Sequence, residues 1–217
     1  MEISISLDPA SGKDIREYIK FLNTVDNITL HADVMDGKFV SRTSLPLDEF
    51  SYLVKNTNYK IDVHLMVANP KVQINPMLAK VVWGNIRSMS FHVEACPVDE
   101  AIQLVEKIKM MGIQGGVVID LDTSVDSVDK RIFAICDVVT IMSVKCGQSG
   151  QSFNEIAIDK VRQIKTKFPK IRIIVDGGIN ADNIKHIRKA GVNTAVVGNA
   201  VYSNSDRTAT ITLLQKA

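Results

Sequence analysis

Short apolar runs rich in Val and Ile recur along the chain, and each is followed by a longer segment with a different pattern. In the longer segments apolar residues recur three or four positions apart, which is the spacing of an amphipathic helix. The segment between Pro97 and Gly112 is the clearest case, because proline favours a first helical turn and glycine favours a helix end. We predict strands over 3–7, 27–33, 59–66, 86–93, 117–119, 138–142, 171–175 and 194–197. Helices are predicted between them, over 14–25, 47–54, 70–76, 98–112, 125–135, 153–168, 180–190 and a last segment.

Strands that alternate with helices predict a parallel sheet with right-handed crossovers. Eight such units fill the 217 residues, and no linker rich in Pro, Gly or Ser divides them. We therefore predict an α/β fold of the closed kind, a single-domain (β/α)8 TIM barrel over residues 1–217. The alternative is an open, doubly wound sheet, which favours a glycine-rich turn after its first strand. The segment Leu7–Ala10 contains no such turn.

Composition and charge narrow the classes of partner. The 26 basic and 24 acidic residues are interspersed, so the sequence carries no footprint for nucleic acid or for an anionic membrane. No apolar run reaches the ~18 residues of a membrane span. The three cysteines, Cys96, Cys136 and Cys146, fit no zinc or disulfide spacing, which favours a reducing compartment. We expect a cytoplasmic protein that acts on a small molecule.

Polar side chains stand at the carboxyl ends of three predicted strands. His31 and Asp33 end the second strand and share one face of it, because they are two residues apart. His64 ends the third strand, and Asp176 follows the seventh. A closed barrel gathers these ends at one mouth, where such enzymes carry their reactive groups. Two imidazoles and two carboxylates suit one divalent ion of zinc, iron, manganese or cobalt. The alternative is four unrelated polar residues in separate loops.

Glycine-rich turns lie at the same predicted mouth. Gly177 and Gly178 follow the seventh strand, and Gly198 and Asn199 follow the eighth. Barrels of this class frequently bind phosphate at these two positions through backbone N–H groups. A third loop, over 147–151, is also rich in glycine and in hydrogen-bond donors. One Gly-Gly pair alone is more often a tight turn, but two clusters at these positions indicate a phosphorylated substrate.

Six short segments carry a further signal. They are His-Ala-Asp-Val-Met-Asp-Gly-Lys-Phe-Val at 31–40, Asp-Val-His-Leu-Met at 62–66, His-Val-Glu-Ala at 92–95, Ile-Met-Ser-Val at 141–144, Gly-Gln-Ser-Phe at 150–153 and Val-Asp-Gly-Gly-Ile at 175–179. Together they resemble the ribulose-phosphate 3-epimerase family. The resemblance spans nearly the whole chain and keeps the family's order.

The resemblance implies an isomerase that interconverts D-ribulose 5-phosphate and D-xylulose 5-phosphate with one divalent metal ion. By that resemblance His31, Asp33, His64 and Asp176 would bind the metal. Asp33 and Asp176 would also exchange protons with the substrate through a metal-stabilised enediolate. Family members form dimers or hexamers, so a homo-oligomer is expected on the same ground. Positions that match the family's substrate contacts are Ser4, His64, Gly147, Gln148, Ser149, Gly150, Gly177, Gly178, Gly198 and Asn199, with Met35, Met66 and Met142 as a possible apolar lining.

The predicted substrate loops depart from the family pattern. Ser41 and Arg42 replace its Pro-Asn pair, and the loop over 145–151 lacks its proline, its phenylalanine and one glycine. These departures leave open a six-carbon ketose phosphate of the allulose 6-phosphate type as the substrate. A non-catalytic paralog that binds a sugar phosphate as a sensor is another alternative. The related barrel decarboxylases would need a lysine where this chain has Met35.

Overall fold

A closed sheet forms the centre of the computed structural model, which describes residues 1–80, 84–148 and 150–217. Its strands are β1 (Glu2–Ser6), β2 (Ile28–Asp36), β3 (Thr43–Ser44), β4 (Ile61–Met66), β5 (Ile86–His92), β6 (Gln114–Ile119), β7 (Val138–Met142), β8 (Arg172–Asp176) and β9 (Thr194–Val197). The helices are α1 (Ile15–Leu22), α2 (Leu47–Asn56), α3 (Pro70–Lys80), α4 (Val98–Met110), α5 (Lys130–Ile135), α6 (Ile156–Lys167), α7 (Ile184–Lys189), α8 (Asn199–Tyr202) and α9 (Arg207–Lys216).

The strands close on themselves through β1. Within this strand Ile3 pairs with Ile28 of β2 on one side and with Ala195 of β9 on the other, both in parallel. Every other barrel strand in the described residues pairs in parallel with its neighbours, and only the short β3 is antiparallel. The closure confirms the predicted (β/α)8 barrel over the open, doubly wound alternative.

The second strand is longer than its sequence pattern predicts. Its predicted end was Asp33, but β2 continues to Asp36. The extra residues are held by β3, because Met35 pairs with Ser44 and Asp36 pairs with Thr43. This extension places Met35 in register with Met66, the last residue of β4.

The helix predicted over 125–135 is wrong in its first half. The chain forms a short 3-10 turn over Val125–Ser127, and α5 begins only at Lys130. The side chains of Ser124 and Asp129 each accept a backbone N–H, so each starts its own helical segment. The last predicted helical segment is likewise two helices, α8 and α9.

Each longer helix packs one apolar stripe on the barrel. In α4, Ala101, Val105 and Ile108 are fully buried at the spacing predicted from sequence, whereas Met110 at its end is exposed. The described helices run from four to thirteen residues, and none of them is both long and apolar enough to cross a membrane.

The two faces of the barrel wall differ in chemistry. Outward-facing strand residues such as Ile5, Leu30 and Ile141 belong to one large apolar core shared with the helices. The inward face is largely polar but also carries small apolar clusters: Val138, Ile174 and Val196 in one, Val118 and Met142 in a second, and Met35 and Met66 in a third. Buried polar residues of the strands include Ser4, Ser6, Thr29, His31, Asp33, Asp62, His64, Ser88, Ser90, His92, Thr140 and Thr194. Strand alternation therefore delivers chemically active groups into the barrel.

An ion pair crosses the amino end of the barrel. The Nη2 atom of Arg172 on β8 lies 2.7 Å from Oδ1 of Asp62 on β4, which is the strand on the opposite side. Arg87 donates to the same carboxylate through Nη2 at 2.6 Å. Burial acts to raise the pKa of Asp62, but hydrogen bonds from the two guanidinium groups hold that pKa well below its usual range. These charges therefore lie at the end of the barrel opposite the carboxyl ends of the strands.

Candidate active site

The four side chains predicted at strand ends meet at the carboxyl end of the barrel. Asp33 of β2 lies in register with His64 of β4, and Asp176 is the last residue of β8. The Nδ1 atom of His64 is 3.1 Å from Oδ1 of Asp33 and 3.4 Å from Oδ2 of Asp176. The Nε2 atom of His31 is 3.4 Å from each of those two oxygens. One ligand atom from each residue lies within 4.8 Å of all the others.

This donor set fits a divalent metal ion. Nitrogen and oxygen ligands bound at ~2.0–2.2 Å to a common ion lie about 3–4 Å apart, and the four nitrogen-to-oxygen distances given above fall in this range. Neither ring nitrogen of His31 has a hydrogen-bond partner in the described part of the chain, although its ring is buried. Buried polar atoms rarely lack a partner, so this imidazole is suited to a ligand the protein does not itself provide. Two adjacent carboxylates, Asp33 and Asp176, also favour a cation between them.

Opposite charges set the protonation of the cluster. Burial acts to raise the pKa of Asp33, but the His31 and His64 imidazoles outweigh it and hold the pKa well below its usual range. Burial and the charge of Asp33 act to raise the pKa of Asp176, yet its close contacts with the His31 and His64 imidazoles leave the pKa lowered. Both carboxylates are therefore ionised at neutral pH, which is the state that binds a metal or accepts a proton.

A cavity of about 240 Å³ opens at this cluster. Asp33 and Asp176 line it, whereas His31 and His64 are buried beneath its surface. Ser149 lies outside the described residues. The other predicted contacts that line the cavity are Met35, Met66, Met142, Gly147, Gln148, Gly150, Gly177, Gly178, Gly198 and Asn199. Backbone turns and methionine side chains thus surround two ionised carboxylates.

Among the described residues, Ser6 is the serine that lines this cavity, and the sequence reasoning did not select it. Its Oγ donates a hydrogen bond of 2.7 Å to Oδ2 of Asp33. Ser4 lies two residues deeper on the same strand, is fully buried and does not line the cavity. Strand alternation could have identified Ser6, because it shares the inward face of Ser4 and is nearer the carboxyl end.

The turn at Gly177 and Gly178 is possible only for glycine. The φ angles are +114° and +63°, a region that other L-residues rarely adopt. A Cβ atom on Gly178 would lie 2.4 Å from the backbone nitrogen of Phe153. The turn therefore packs directly on the loop after β7. Its bare backbone at the cavity suits the close approach of a phosphate group.

A further carboxylate, Asp8, was also missed. It lines the cavity and accepts hydrogen bonds from Nη1 and Nη2 of Arg42 at 3.0 and 2.5 Å. Burial and the nearby charge of Asp33 raise the pKa of Asp8, although the Arg42 guanidinium beside it acts to lower this pKa. The partners Asp8 and Arg42 are 34 residues apart, so no local pattern in the sequence indicates their contact.

Comparison with known proteins identifies the family. The model of the "Ribulose-phosphate 3 epimerase family" matches residues 2–202 of the chain. The chain belongs to the ribulose-phosphate 3-epimerase family. This match confirms the resemblance seen in the sequence and the prediction of an isomerase that acts on carbohydrates. The matched range includes all four residues of the His31, Asp33, His64 and Asp176 cluster.

Curated relatives agree with the ribulose-phosphate 3-epimerase family. The cytoplasmic isoform of ribulose-phosphate 3-epimerase from Oryza sativa subsp. japonica is 33% identical over 190 residues, which cover 87% of this chain and 81% of the relative. Ribulose-phosphate 3-epimerase from Bacillus subtilis is 35% identical over 184 residues, covering 82% and 81% of the two chains.

Solved structures show the same fold at lower identity. A 3-hexulose-6-phosphate synthase from Salmonella typhimurium superposes with a TM-score of 0.73 at 15% identity, covering 100% of this chain and 97% of the other. The tryptophan synthase α-subunit from Pyrococcus furiosus gives a TM-score of 0.75 at 16% identity, covering 100% and 98%. The shared barrel is the common feature of this family and these enzymes.

Proposed function

We propose that the protein interconverts D-ribulose 5-phosphate and D-xylulose 5-phosphate by moving the proton on C3. The observation that carries this proposal is the pair Asp33 and Asp176, two ionised carboxylates that line one cavity. Inversion of a carbon next to a ketone needs one group to remove the proton on one face and another to return a proton on the opposite face. The family of the chain supports this assignment.

The two carboxylates have different surroundings, which suits two roles. Asp33 is held by the Oγ of Ser6 and by Nδ1 of His64, so its position is fixed from two sides. Asp176 is anchored by its backbone, because its carbonyl oxygen accepts hydrogen bonds from Ser143. One ionised carboxylate takes the C3 proton, while the other, which has first taken a proton from solvent, gives that proton to C3 from the opposite face. Reversal of the roles runs the reaction backwards.

His31, Asp33, His64 and Asp176 would hold one divalent metal ion in this proposal. When bound, the ion would stabilise the negative charge that develops on the substrate oxygens after proton removal. Zinc, iron, manganese and cobalt all suit two imidazoles and two carboxylates. The methionines Met35, Met66 and Met142 would exclude water from the reacting carbons.

The phosphate of the substrate would bind at the glycine turns. Gly177 and Gly178 line the cavity beside Asp176, and Gly198 lines it at the start of α8. Backbone N–H groups without side chains allow close approach of phosphate oxygens. This arrangement would orient the sugar with its C3 between the carboxylates.

Exchange of the C3 proton with solvent tests the proposal. The metal-loaded protein is incubated with D-ribulose 5-phosphate in deuterated water, and proton NMR follows the C3 signal and the product. We expect loss of the C3 proton together with formation of xylulose 5-phosphate. Binding of the sugar phosphate without exchange would instead indicate a sensor and overturn the proposal.

Substitutions of Asp33 and Asp176 test the proposed role of each carboxylate in proton transfer. Asp176→Asn and Asp33→Asn should each lower the exchange rate by about 10²–10⁴-fold, the range for loss of a general acid or base. Asp99→Asn is the matched control, because the Asp99 side chain is 80% exposed on α4. Metal content is measured in each variant, so that loss of the ion and loss of proton transfer are separated. Unchanged exchange in Asp176→Asn with metal bound would rule out its role.

A six-carbon ketose phosphate is the second candidate substrate. Arg42 favours it, because this departure from the family pattern forms an ion pair with Asp8, a carboxylate that lines the cavity. The same exchange assay with allulose 6-phosphate distinguishes the candidates. A higher kcat/KM for allulose 6-phosphate than for ribulose 5-phosphate would favour the alternative.

The cytoplasm is the proposed location, and a homo-oligomer, dimer or hexamer, is the proposed assembly. Cys96, Cys136 and Cys146 are free thiols, which supports a reducing compartment. Burial also raises the pKa of the Cys146 thiol to about 12, which disfavours the reactive thiolate form at neutral pH. Light scattering of the purified protein would test the assembly.

A further inference from the structure

Two residues, the buried His92 and the partly exposed Glu94, lie behind His64, on the side away from Asp33 and Asp176. The Nε2 atom of His64 is 3.0 Å from Nε2 of His92. The Nδ1 atom of His92 is 3.3 Å from Oε2 of Glu94. Both imidazole rings are fully buried. Hydrogen bonds through His64 and His92 therefore connect the proposed metal centre to Glu94.

The number of hydrogens on each ring fixes which nitrogen donates in the hydrogen bonds between His64, His92 and Glu94. The carboxylate of Glu94 only accepts hydrogen bonds, so Nδ1 of His92 must be the nitrogen that carries hydrogen and donates. Nε2 of a neutral His92 is then an acceptor. The two facing Nε2 atoms can bond only if one of them donates, and the donor is therefore Nε2 of His64. This leaves Nδ1 of His64 as the nitrogen that can give up its hydrogen.

Nδ1 of His64 is the atom that faces the carboxylates of Asp33 and Asp176. We propose that Glu94, acting through His92, keeps a proton on Nε2 of His64 and so fixes Nδ1 as the metal-binding nitrogen. This inference rests on the proposed metal centre and adds two positioning residues to it. Metal-binding histidines commonly donate their second N–H to a partner that fixes the tautomer and the ring orientation.

The positioning residues are themselves held in place. Oε1 of Glu94 accepts the backbone N–H of Asp120 at 3.1 Å, so the other carboxylate oxygen is turned toward His92. The ring of Phe39 lies 4.7 Å from the ring of His92 and covers it. These contacts limit rotation of the His92 ring. Such a rotation would break its hydrogen bonds to His64 and Glu94.

Zinc affinity provides the first test, measured by chelator competition on the full-length protein. Glu94→Gln keeps the shape of the side chain and removes its charge. We expect it to weaken zinc binding about 10–100-fold, the usual effect of losing such a partner. Glu155→Gln is the matched control, because Glu155 pairs with His186 at 3.0 Å on the exposed surface. We expect the control to bind zinc as the wild type does. Equal affinities in Glu94→Gln and Glu155→Gln would overturn the inference.

Histidine tautomers provide a second test that needs no variant. The chain has four histidines, so long-range ¹H–¹⁵N spectra of the zinc-loaded protein are readily assigned. We expect protonated Nε2 on His64 and protonated Nδ1 on His92. A proton on Nδ1 of His64, or on Nε2 of His92, would overturn the inference. A wild-type protein that binds no zinc would instead overturn the proposed metal centre itself, so the two failures are distinguishable.

Discussion

The substitution Asp62→Asn should destabilise the barrel more than any surface change of charge. Asp62 is 1% exposed and receives hydrogen bonds from Arg87 and Arg172. The asparagine keeps the size of the side chain but leaves the two guanidinium groups without an anion between them. Removal of one partner from a buried ion pair usually costs about 3–5 kcal/mol.

The structure points to the lower end of that range. The side chains of Arg87 and Arg172 are 12% and 15% exposed, so water reaches part of each guanidinium group. Arg87 also keeps its ion pair with Glu2 at 2.6 Å. We therefore expect the free energy of unfolding to fall by about 3 kcal/mol. At about 2–4 °C per kcal/mol for a chain of this size, Tm should fall by about 6–12 °C.

Urea unfolding at two pH values checks this prediction. Asp159→Asn is the control, because Asp159 pairs with Arg162 on the exposed face of α6 and such pairs contribute about 0.2–1 kcal/mol. The folded pKa of Asp62 lies below its unfolded value. Its contribution is thus present above about pH 4 and is lost as the pH falls toward the folded pKa. The gap between wild type and Asp62→Asn should shrink in acid. A loss at pH 7 no larger than that of Asp159→Asn would refute the reasoning.

Three further predictions concern the cavity. Gly178→Ala should lower affinity for ribulose 5-phosphate at least about 10-fold and stability by about 1–3 kcal/mol, because the turn needs positive φ and has no space for a Cβ atom. Gly84→Ala, whose Cβ would meet open space, should leave both unchanged, and calorimetry of the two variants tests this difference. Zinc at 100 times its Kd should raise the free energy of unfolding of the wild type by about 2.7 kcal/mol. Thermal unfolding with and without zinc measures this gain, and the variant His31→Ala should show none. In the metal-free protein the pKa values of His31 and His64 are raised: burial acts to lower both, but Asp33 and Asp176 outweigh it. The two histidines therefore stabilise the folded protein fully below about pH 6.5, and this contribution is lost as the pH rises through their folded pKa values. Urea midpoints that stay constant or rise between about pH 6 and 9 would contradict this prediction.

Local patterns predicted the frame of this molecule well. The strands β7 and β9 have the predicted bounds, because each is a short apolar run flanked by polar residues. The cluster of His31, His64 and Asp176 followed from one rule, that reactive groups of a barrel lie at the carboxyl ends of its strands. The spacing of apolar residues and the position of polar residues at strand ends were enough to predict these strands and this cluster, because both can be identified in the sequence alone.

Contacts between distant segments were not predictable in the same way. Arg172 and Asp62 are 110 residues apart and meet only because β8 and β4 face each other across the closed barrel. The length of β2 depends on its pairing with β3, and the ion pair of Asp8 depends on Arg42, which is 34 residues away. Each of these features is decided by a partner that no window of sequence contains.

The ion pair across the amino end also bears on how the chain reaches its final form. Asp62 is made in the first half of synthesis, whereas its partner Arg172 follows 110 residues later. An incomplete barrel that ends before β8 would bury an acid with only Arg87 to neutralise it, and it would lack the fourth member of the His31, Asp33 and His64 group. Half-barrels of this protein should therefore not persist as independent folded units, and gene fragments split between β6 and β7 should become stable only when both pieces are expressed together.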